Sequence, residues 1–356
     1  MIQLKAILTQ ESPASAVCHS LIGWSVLTIR YLPVALLFLS MLVASPAQAF
    51  DCSKASTATE KLICSDSKLK QADDDLGQAW SKAQRQVSES EFKLLRLSQR
   101  EWLKSRDERC GHGSDVERIE CVISQTSERT AIIAAKAKFG PGSGAAMVPF
   151  ARGQAGSRMA YKIELAGVRF ARPVKAGEVS FNQAVDVLIK QAPFTEKIAF
   201  ETAGQLSYDQ SISLEYAAPE LVSALVRTWR YDGGAHGNTV FSAINISPEA
   251  GELTFDKLFS GAAQVDLADA CQNQLYRMEA DKALTEAELQ EMLFPEYGAA
   301  IAAAVKNLSA WTFSSQGARV IFSPYELAPF AAGSFECRLP LALLRNMSLA
   351  AQFLPR

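Results

Sequence analysis

Apolar residues return at three- and four-residue steps between residues 69 and 133 of this 356-residue chain, the period of amphipathic helices. One stripe is Leu69, Ala72, Leu76, Ala79, Trp80, Ala83 and Val87. A second is Phe92, Leu95 and Trp102, and a third runs Val116, Ile119, Val122, Ile123, Thr126, Thr130 and Ile133. Each stripe predicts one buried face. Start signals agree: Thr57 with Glu60, Ser88 with Glu91 and Ser114 with Glu117 stand at capping-box spacing, while Gly111 and Gly113 break the chain between the last two helices. From Gly140 to Arg158 the periodicity stops and Gly, Ser, Pro and Ala take over, which predicts a flexible linker over 140–158.

Beyond that stretch the pattern is mixed. Strands are expected at Tyr161 to Leu165, Ser211 to Tyr216, Val240 to Ile246, Arg319 to Phe322 and Ser334 to Leu339. Helices are expected at Phe181 to Gln191, Pro219 to Thr228, Gln264 to Lys282, Glu286 to Leu293 and Tyr297 to Leu308. The fold class is therefore α+β: a helical bundle over 50–139, then an α+β domain over 159–356 with a mainly antiparallel sheet.

The first 49 residues add an address. Arg30, the apolar run Tyr31 to Val43 and the small-residue site Ala47-Gln48-Ala49 have the layout of a secretory signal peptide, too short in its apolar core for a spanning helix. Cleavage after Ala49 would leave no membrane anchor, and Ala49-Phe50-Asp51 before Cys52 is not a lipid-attachment site. It would also leave six cysteines, Cys52, Cys64, Cys110, Cys121, Cys271 and Cys337, an even number in a periplasmic or secreted protein where disulfides persist. Sequence-local bridges Cys52 to Cys64 and Cys110 to Cys121 and a cross pairing between them are both open. Cys271 on a helix and Cys337 on a late strand suggest a third bridge. Residues 50–139 carry 16 Lys+Arg against 15 Asp+Glu and residues 140–356 carry 18 against 22, nets of +1 and −4 that give no basis for nucleic-acid binding.

Two family resemblances follow. The spaced cysteines with STATEKLICSDSKLKQADDDL, then SQREWLKSRDERC and IECVISQTSERTAII, including Gln99, Arg100, Trp102, Arg106 and Asp107, resemble the LprI-type lysozyme-inhibitor domain. That likeness covers about ninety residues. It implies an exported helical module with lysozyme inhibition as the family's named activity. In the second half, Tyr231-Asp232-Gly233-Gly234-Ala235-His236-Gly237-Asn238, the stretch Asn245 to Phe259 and Phe322 to Gly333 resemble the C-terminal domain of RsiV-like anti-sigma factors, also attached to PdaC-type peptidoglycan deacetylases. The lysozyme-sensing members of that family bind lysozyme directly, which implies a lysozyme or related muramidase as partner. Peptidoglycan itself is the alternative partner.

The candidate contact residues are Tyr231, Asp232, Gly233, Gly234, His236, Gly237, Asn238 and Tyr325, since three glycines in five positions signal a shaped loop. Catalysis is not expected. His236 with Asp232 is too small a set for a zinc site, and bonding of the imidazole to loop backbone is the favoured reading. A wall-glycan hydrolase or deacetylase using His236 with Asp232 or Asp256 is the enzymatic alternative. No cofactor and no metal are expected. Trp80 and Trp102 read as core, Asp73-Asp74-Asp75 as a solvated face, and Gln99, Arg100, Arg106 and Asp107 as either a polar clamp between helices or an exposed edge.

Overall fold

The computed structural model describes residues 51–155, 161–194, 206–280 and 286–356. The expected leader over 1–49 lies outside the described residues, as do 156–158 of the expected linker and 281–282 of an expected helix. A 3-10 turn, Cys52–Lys54, opens the helical module, followed by α1 (Ala58–Ser65), α2 (Ser67–Gln86), α3 (Glu89–Arg109) and α4 (Asp115–Ile133). Helix α1 is an addition to the three stripes. Its eight residues bury only Thr59 and Ile63, too few to display a period. Thr57 and Ser114 form reciprocal capping boxes with Glu60 and Glu117. Ser88 also caps its helix, but Glu91 instead grips the Arg152 guanidinium at 2.9 and 3.1 Å. Val116, placed on a buried stripe by its spacing, is 65% exposed because it sits in the first turn of α4, ahead of the first buried position, Val122.

Disulfides hold this module at two points. Cys52 bonds Cys64, tying the opening 3-10 turn to α1, and Cys110 bonds Cys121 across the α3–α4 turn. Trp102 is buried with Leu95, Ala83 and Ile133, while Trp80 packs against Phe92 at 5.1 Å between ring centroids. Both tryptophans belong to the core.

The remaining elements are β1 (Met147–Ala155), β2 (Tyr161–Phe170), α5 (Ala176–Gln191), β3 (Leu206–Ala217), β4 (Val222–Tyr231), β5 (Asn238–Ser247), β6 (Gly251–Glu252), α6 (Phe255–Leu258), α7 (Gly261–Ala280), α8 (Glu286–Met292), α9 (Tyr297–Lys306), β7 (Trp311–Ser314), β8 (Gly317–Phe322), β9 (Phe335–Pro340) and α10 (Leu341–Met347). Strands β1 to β6 form one sheet in sequence order, antiparallel except for the β2–β3 pair, and β7 to β9 form a second, antiparallel sheet. Helix α5 covers one face of the larger sheet, with Phe181 edge-on to Phe170 and Val185 in one buried cluster with Ile212 and Val226. The smaller sheet shares a core of Phe255, Phe259, Trp311 and Phe313 with α6, α7 and α9, and Cys271 bonds Cys337 to join α7 to β9.

Two sequence expectations are corrected. The supposed linker over 140–158 contains β1, which pairs with β2 along its whole length, Met147↔Phe170 to Ala155↔Lys162. Its glycines serve a turn: Gly140 has φ +91° and a Cβ there would lie 2.3 Å from the Ala217 carbonyl oxygen. The supposed helix Pro219 to Thr228 is instead the start of β4, a ten-residue strand paired with β3 on one side and β5 on the other. Its short apolar run fits either period, and strand neighbours decide it.

The helical module lies against the sheet face opposite α5. Ala151 and Ala166 of β1 and β2 share a core with Trp102, Ile132 and Ile133. At its centre the buried Arg129 guanidinium donates to Ser98 Oγ (2.8 Å) and Gln99 Oε1 (2.8 Å) and stands 3.5 Å from Glu164 Oε1, which also accepts from Ser98 Oγ at 2.6 Å. Burial pushes the Glu164 carboxyl above the usual carboxylate range and pulls Arg129 down, while their mutual attraction opposes both. Gln99 thus clamps elements together, Arg106 is buried over Trp102 and bonds Asp107, and Arg100 stays exposed.

Arg129→Met is expected to cost about 3–5 kcal/mol in urea unfolding by stranding the Glu164 charge, with most of that loss recovered on adding Glu164→Gln. Replacing Cys271 and Cys337 by serine, separation 66, should cost about 1.5 kcal/mol more than replacing Cys52 and Cys64, separation 12. That difference follows from loop-entropy scaling and is checked by denaturant midpoints.

Candidate functional site

Strands β4 and β5 make a long hairpin whose last pair is Arg230↔Asn238, so the loop between them projects from the end of the sheet. Arg230 Nε bonds both Asp232 oxygens at 2.9 and 2.8 Å, and Gly233 takes φ +85°. Gly237 lies on the indole of Trp229, since a Cβ there would fall 2.6 Å from its ring carbons. Trp229 in turn stacks on Tyr231, with centroids 6.3 Å apart. Gly234 and Asp232 are exposed, and Asn238 opens β5 with its side-chain oxygen buried.

The second half of the site follows β8. Ser323 N–H donates to Glu326 Oε2 at 2.9 Å, and Phe241 N–H of β5 donates to Ser323 Oγ at 3.1 Å, so the turn is pinned to the hairpin strand. Tyr325 stands within it at φ +72°, a left-handed conformation that costs a side-chain-bearing residue about 1–2 kcal/mol. Half of its surface is exposed, at 50%. Pro329 leads into a short 3-10 turn, Phe330–Ala332, closed by Gly333 at φ +80°.

These two parts meet. The His236 ring stacks on Phe330 with centroids 3.7 Å apart and planes 14° from parallel; Tyr325 stands 5.7 Å from Phe330 and its hydroxyl is 3.4 Å from His236 Nε2. His236 Nδ1 lies 3.0 Å from the Gly237 carbonyl oxygen, which only accepts, so in the neutral ring Nδ1 carries the proton and Nε2 is left to accept. The imidazole is therefore held by loop backbone and neighbouring rings. Asp232 is bonded to Arg230, and Asp256 is paired with Lys306, so neither carboxylate orients His236 as a base. Among the described residues no group of three or more His, Cys, Asp or Glu has the geometry to hold a metal ion. What the arrangement offers is an exposed, pre-ordered ring surface, the kind that contributes large contact area at small entropic cost.

Of the residues expected at a contact surface, Tyr231, Gly233, Gly237 and Asn238 shape the hairpin end, and His236 and Tyr325 present their rings beside Phe330. Trp229 went unnoticed because its strand reads as a helix ending at Thr228. Its position two residues before Tyr231, on the same face of β4, is the signal that a strand reading would have supplied.

The helical half and the end of the chain define a disulfide-stapled module joined to an α+β body, and comparison with protein families agrees with that layout. Residues 52–132 match the family described as lysozyme inhibitor LprI, and residues 256–342 match a family described as protein of unknown function (DUF3298). Tyr325 and Phe330 fall inside the second match and the hairpin loop outside it. No curated protein matches the chain. Two solved structures are similar at 15% identity: a DUF3298-family protein from Bacteroides fragilis, covering 58% of this chain and 94% of that one with TM-score 0.43, and another from Pseudomonas aeruginosa, covering 61% and 100% with TM-score 0.44. No helix among the described residues is long and apolar enough to cross a membrane.

Gly237→Ala is expected to lower stability by about 1–3 kcal/mol and to change the near-ultraviolet circular dichroism as the added methyl displaces Trp229. Gly234→Ala, with open space around it, should do neither. Equal effects from the two variants would show that Gly237 does not seat the loop.

Proposed function

We propose that this chain is an exported, non-catalytic protein that binds lysozyme or a related muramidase and inhibits it. The observation that carries this reading is the match of residues 52–132 to the lysozyme-inhibitor family. Its export is supported by three disulfides, a pattern of oxidising compartments, and by the signal-like layout of residues 30–49. The likeness of the Tyr231–Asn238 and Phe322–Gly333 motifs to lysozyme-sensing RsiV-like modules extends the same theme to the second half.

The contact surface we favour is the hairpin end with His236, Tyr325 and Phe330. Rings fixed before binding lose little freedom on association. A tyrosine kept in a left-handed conformation is a cost that folding alone does not explain, and strain of this kind gathers at sites that bind.

The test is titration of the exported, oxidised protein into a lysozyme turnover assay, with binding followed by calorimetry. Inhibition at a defined stoichiometry is expected. Tyr325→Gly should retain or raise the melting temperature, because glycine accepts that backbone conformation freely, while weakening lysozyme binding about ten-fold or more. Absence of both heat and inhibition with lysozymes of several classes would overturn the proposal. Inhibition unaffected by Tyr325→Gly and His236→Ala would move the contact surface to the helical module.

A further inference from the structure

The sixth place in the larger sheet is only partly filled. Strand β5 pairs with β4 along its whole length, Arg230↔Asn238 to Val222↔Ile246, but on its other side β6 covers only Ile246 and Ser247. After Glu252 the chain leaves the sheet for α6, and among the described residues no strand takes up the rest of that edge. Two hydrogen bonds fix which backbone groups face it. Phe241 N–H donates to Ser323 Oγ at 3.1 Å, and the Asn245 carbonyl oxygen accepts from Leu253 N–H at 3.0 Å, so both residues point away from β4. Along an antiparallel strand the N–H and C=O of one residue face the same side, and alternate residues face alike. Ala243, midway between them, therefore directs both its N–H and its C=O into the unfilled place.

A groove of about 510 Å³ follows this edge past Ala243, within the range of about 300–1,000 Å³ common for ligand sites. One wall is α5, which contributes Ser180, Gln183, Ala184 and Val187 at helical spacing, and Val187 is 49% exposed. The other runs from Lys306 at the end of α9 to Ser309 in the 3-10 turn Leu308–Ala310. Open sheet edges are ordinarily blunted by charge, proline or a bulge. Strand β1, at the opposite edge, carries Pro149 and Arg152. Thr239 to Ser247 of β5 holds neither a charged residue nor a proline, and its ladder to β4 runs without a bulge.

We infer that this groove takes up a short extended peptide from a partner, which adds to β5 beside Ala243 as a strand in line with β6. An amide donor and an acceptor on one residue of an open strand are the complement of another extended backbone. A second copy of this protein can offer its own β5 edge only by bringing its α5 and Lys306–Ser309 walls against these, so a single free strand is the occupant that fits. From Phe241 to Asn245 the edge spans about 13 Å, the length of about four or five residues. Ile244 packs with the cluster under α5, while Asn245 bonds the Leu308 and Trp311 carbonyl oxygens on the opposite face. Alternate side chains of the added strand thus face Ala184 and Val187 on one side and Asn307 and Ser309 on the other, which suits apolar residues alternating with small polar ones. Lys306 and Glu252 balance in the lining, favouring a neutral peptide. The site is separate from the His236–Tyr325–Phe330 surface and does not rest on a lysozyme partner.

The experiment titrates acetyl-Ser-Val-Ser-Val-Ser-amide into the oxidised protein by calorimetry, beside two versions methylated on the backbone nitrogens of either the serines or the valines. Saturable binding of the parent peptide with a dissociation constant of about 10 µM to 1 mM is expected. Only every other N–H of a paired strand meets β5, so one methylated peptide should lose about ten-fold or more in affinity and the other should bind as the parent does. Ala243→Pro deletes an N–H that takes no part in the ladder to β4, a place where an edge strand tolerates proline. It should weaken binding about ten-fold or more while leaving the melting temperature and any lysozyme inhibition in place, and Ala243→Ser, which keeps the N–H, should bind normally. No binding up to about 10 mM, equal effects of the two methylations, or unchanged affinity in Ala243→Pro would overturn the inference. A dimer in sedimentation that Ala243→Pro abolishes would overturn it too, by giving the edge to a second copy.

Discussion

The buried contact of Arg129 with Glu164 fixes how this molecule is built. Two charges removed from water are tolerable only when each is answered, and here Ser98 and Gln99 of α3 complete the set that Arg129 of α4 and Glu164 of β2 begin. Three elements from both halves of the chain must therefore stand in one relation. Alanines at 151 and 166 let the helices come close, and Trp102 fills the space beside the guanidinium, 5.6 Å from ring to charge. Beside this contact, Ser105 and Arg109 of α3 line a groove of about 510 Å³ together with Arg227 and Trp229 of β4.

A second ion group joins the rest. Glu215 of β3 is buried between Lys138, at 2.7 Å, and Arg319 of β8, at 3.2 Å, so the segment leaving α4, the large sheet and the small sheet converge on one carboxylate. Asn245 reinforces the join by donating to the Leu308 and Trp311 carbonyl oxygens. With the sheets held this way, the end of the β4–β5 hairpin and the turn after β8 meet although they are about ninety residues apart. Their ring surface is thus a product of how the two sheets are fastened. The left-handed backbone at Tyr325 is sustained by the same fastening, through the Phe241 and Ser323 hydrogen bond.

How much of this was legible varies with the range of the forces involved. Helices α2, α3 and α4 were visible because their stripes, caps and breaking glycines are local features. Strand β4 was misread because Leu221, Val222, Leu225 and Val226 suit a helical step as well as a strand, and only the long ladders to β3 and β5 settle the matter. Strand β1 hid in a stretch rich in glycine and alanine; Gly140, Gly142 and Gly144 make turns at positive φ, and the following residues find β2 as partner. Val116 shows the converse, an apolar residue in phase with its stripe yet outside the reach of any partner.

The sequence by itself determined the helical module, the α+β class, the presence of a shaped glycine-rich loop and the types of residue at its end, because period, capping and turn chemistry act within a few residues. Tertiary structure alone decided that His236 lies on Phe330, that Trp229 sits under Gly237, and that Arg129 meets Glu164. Each of those contacts joins segments distant in the chain, and burial, pairing and the compensation of charge operate through space and leave no periodic trace in the order of residues.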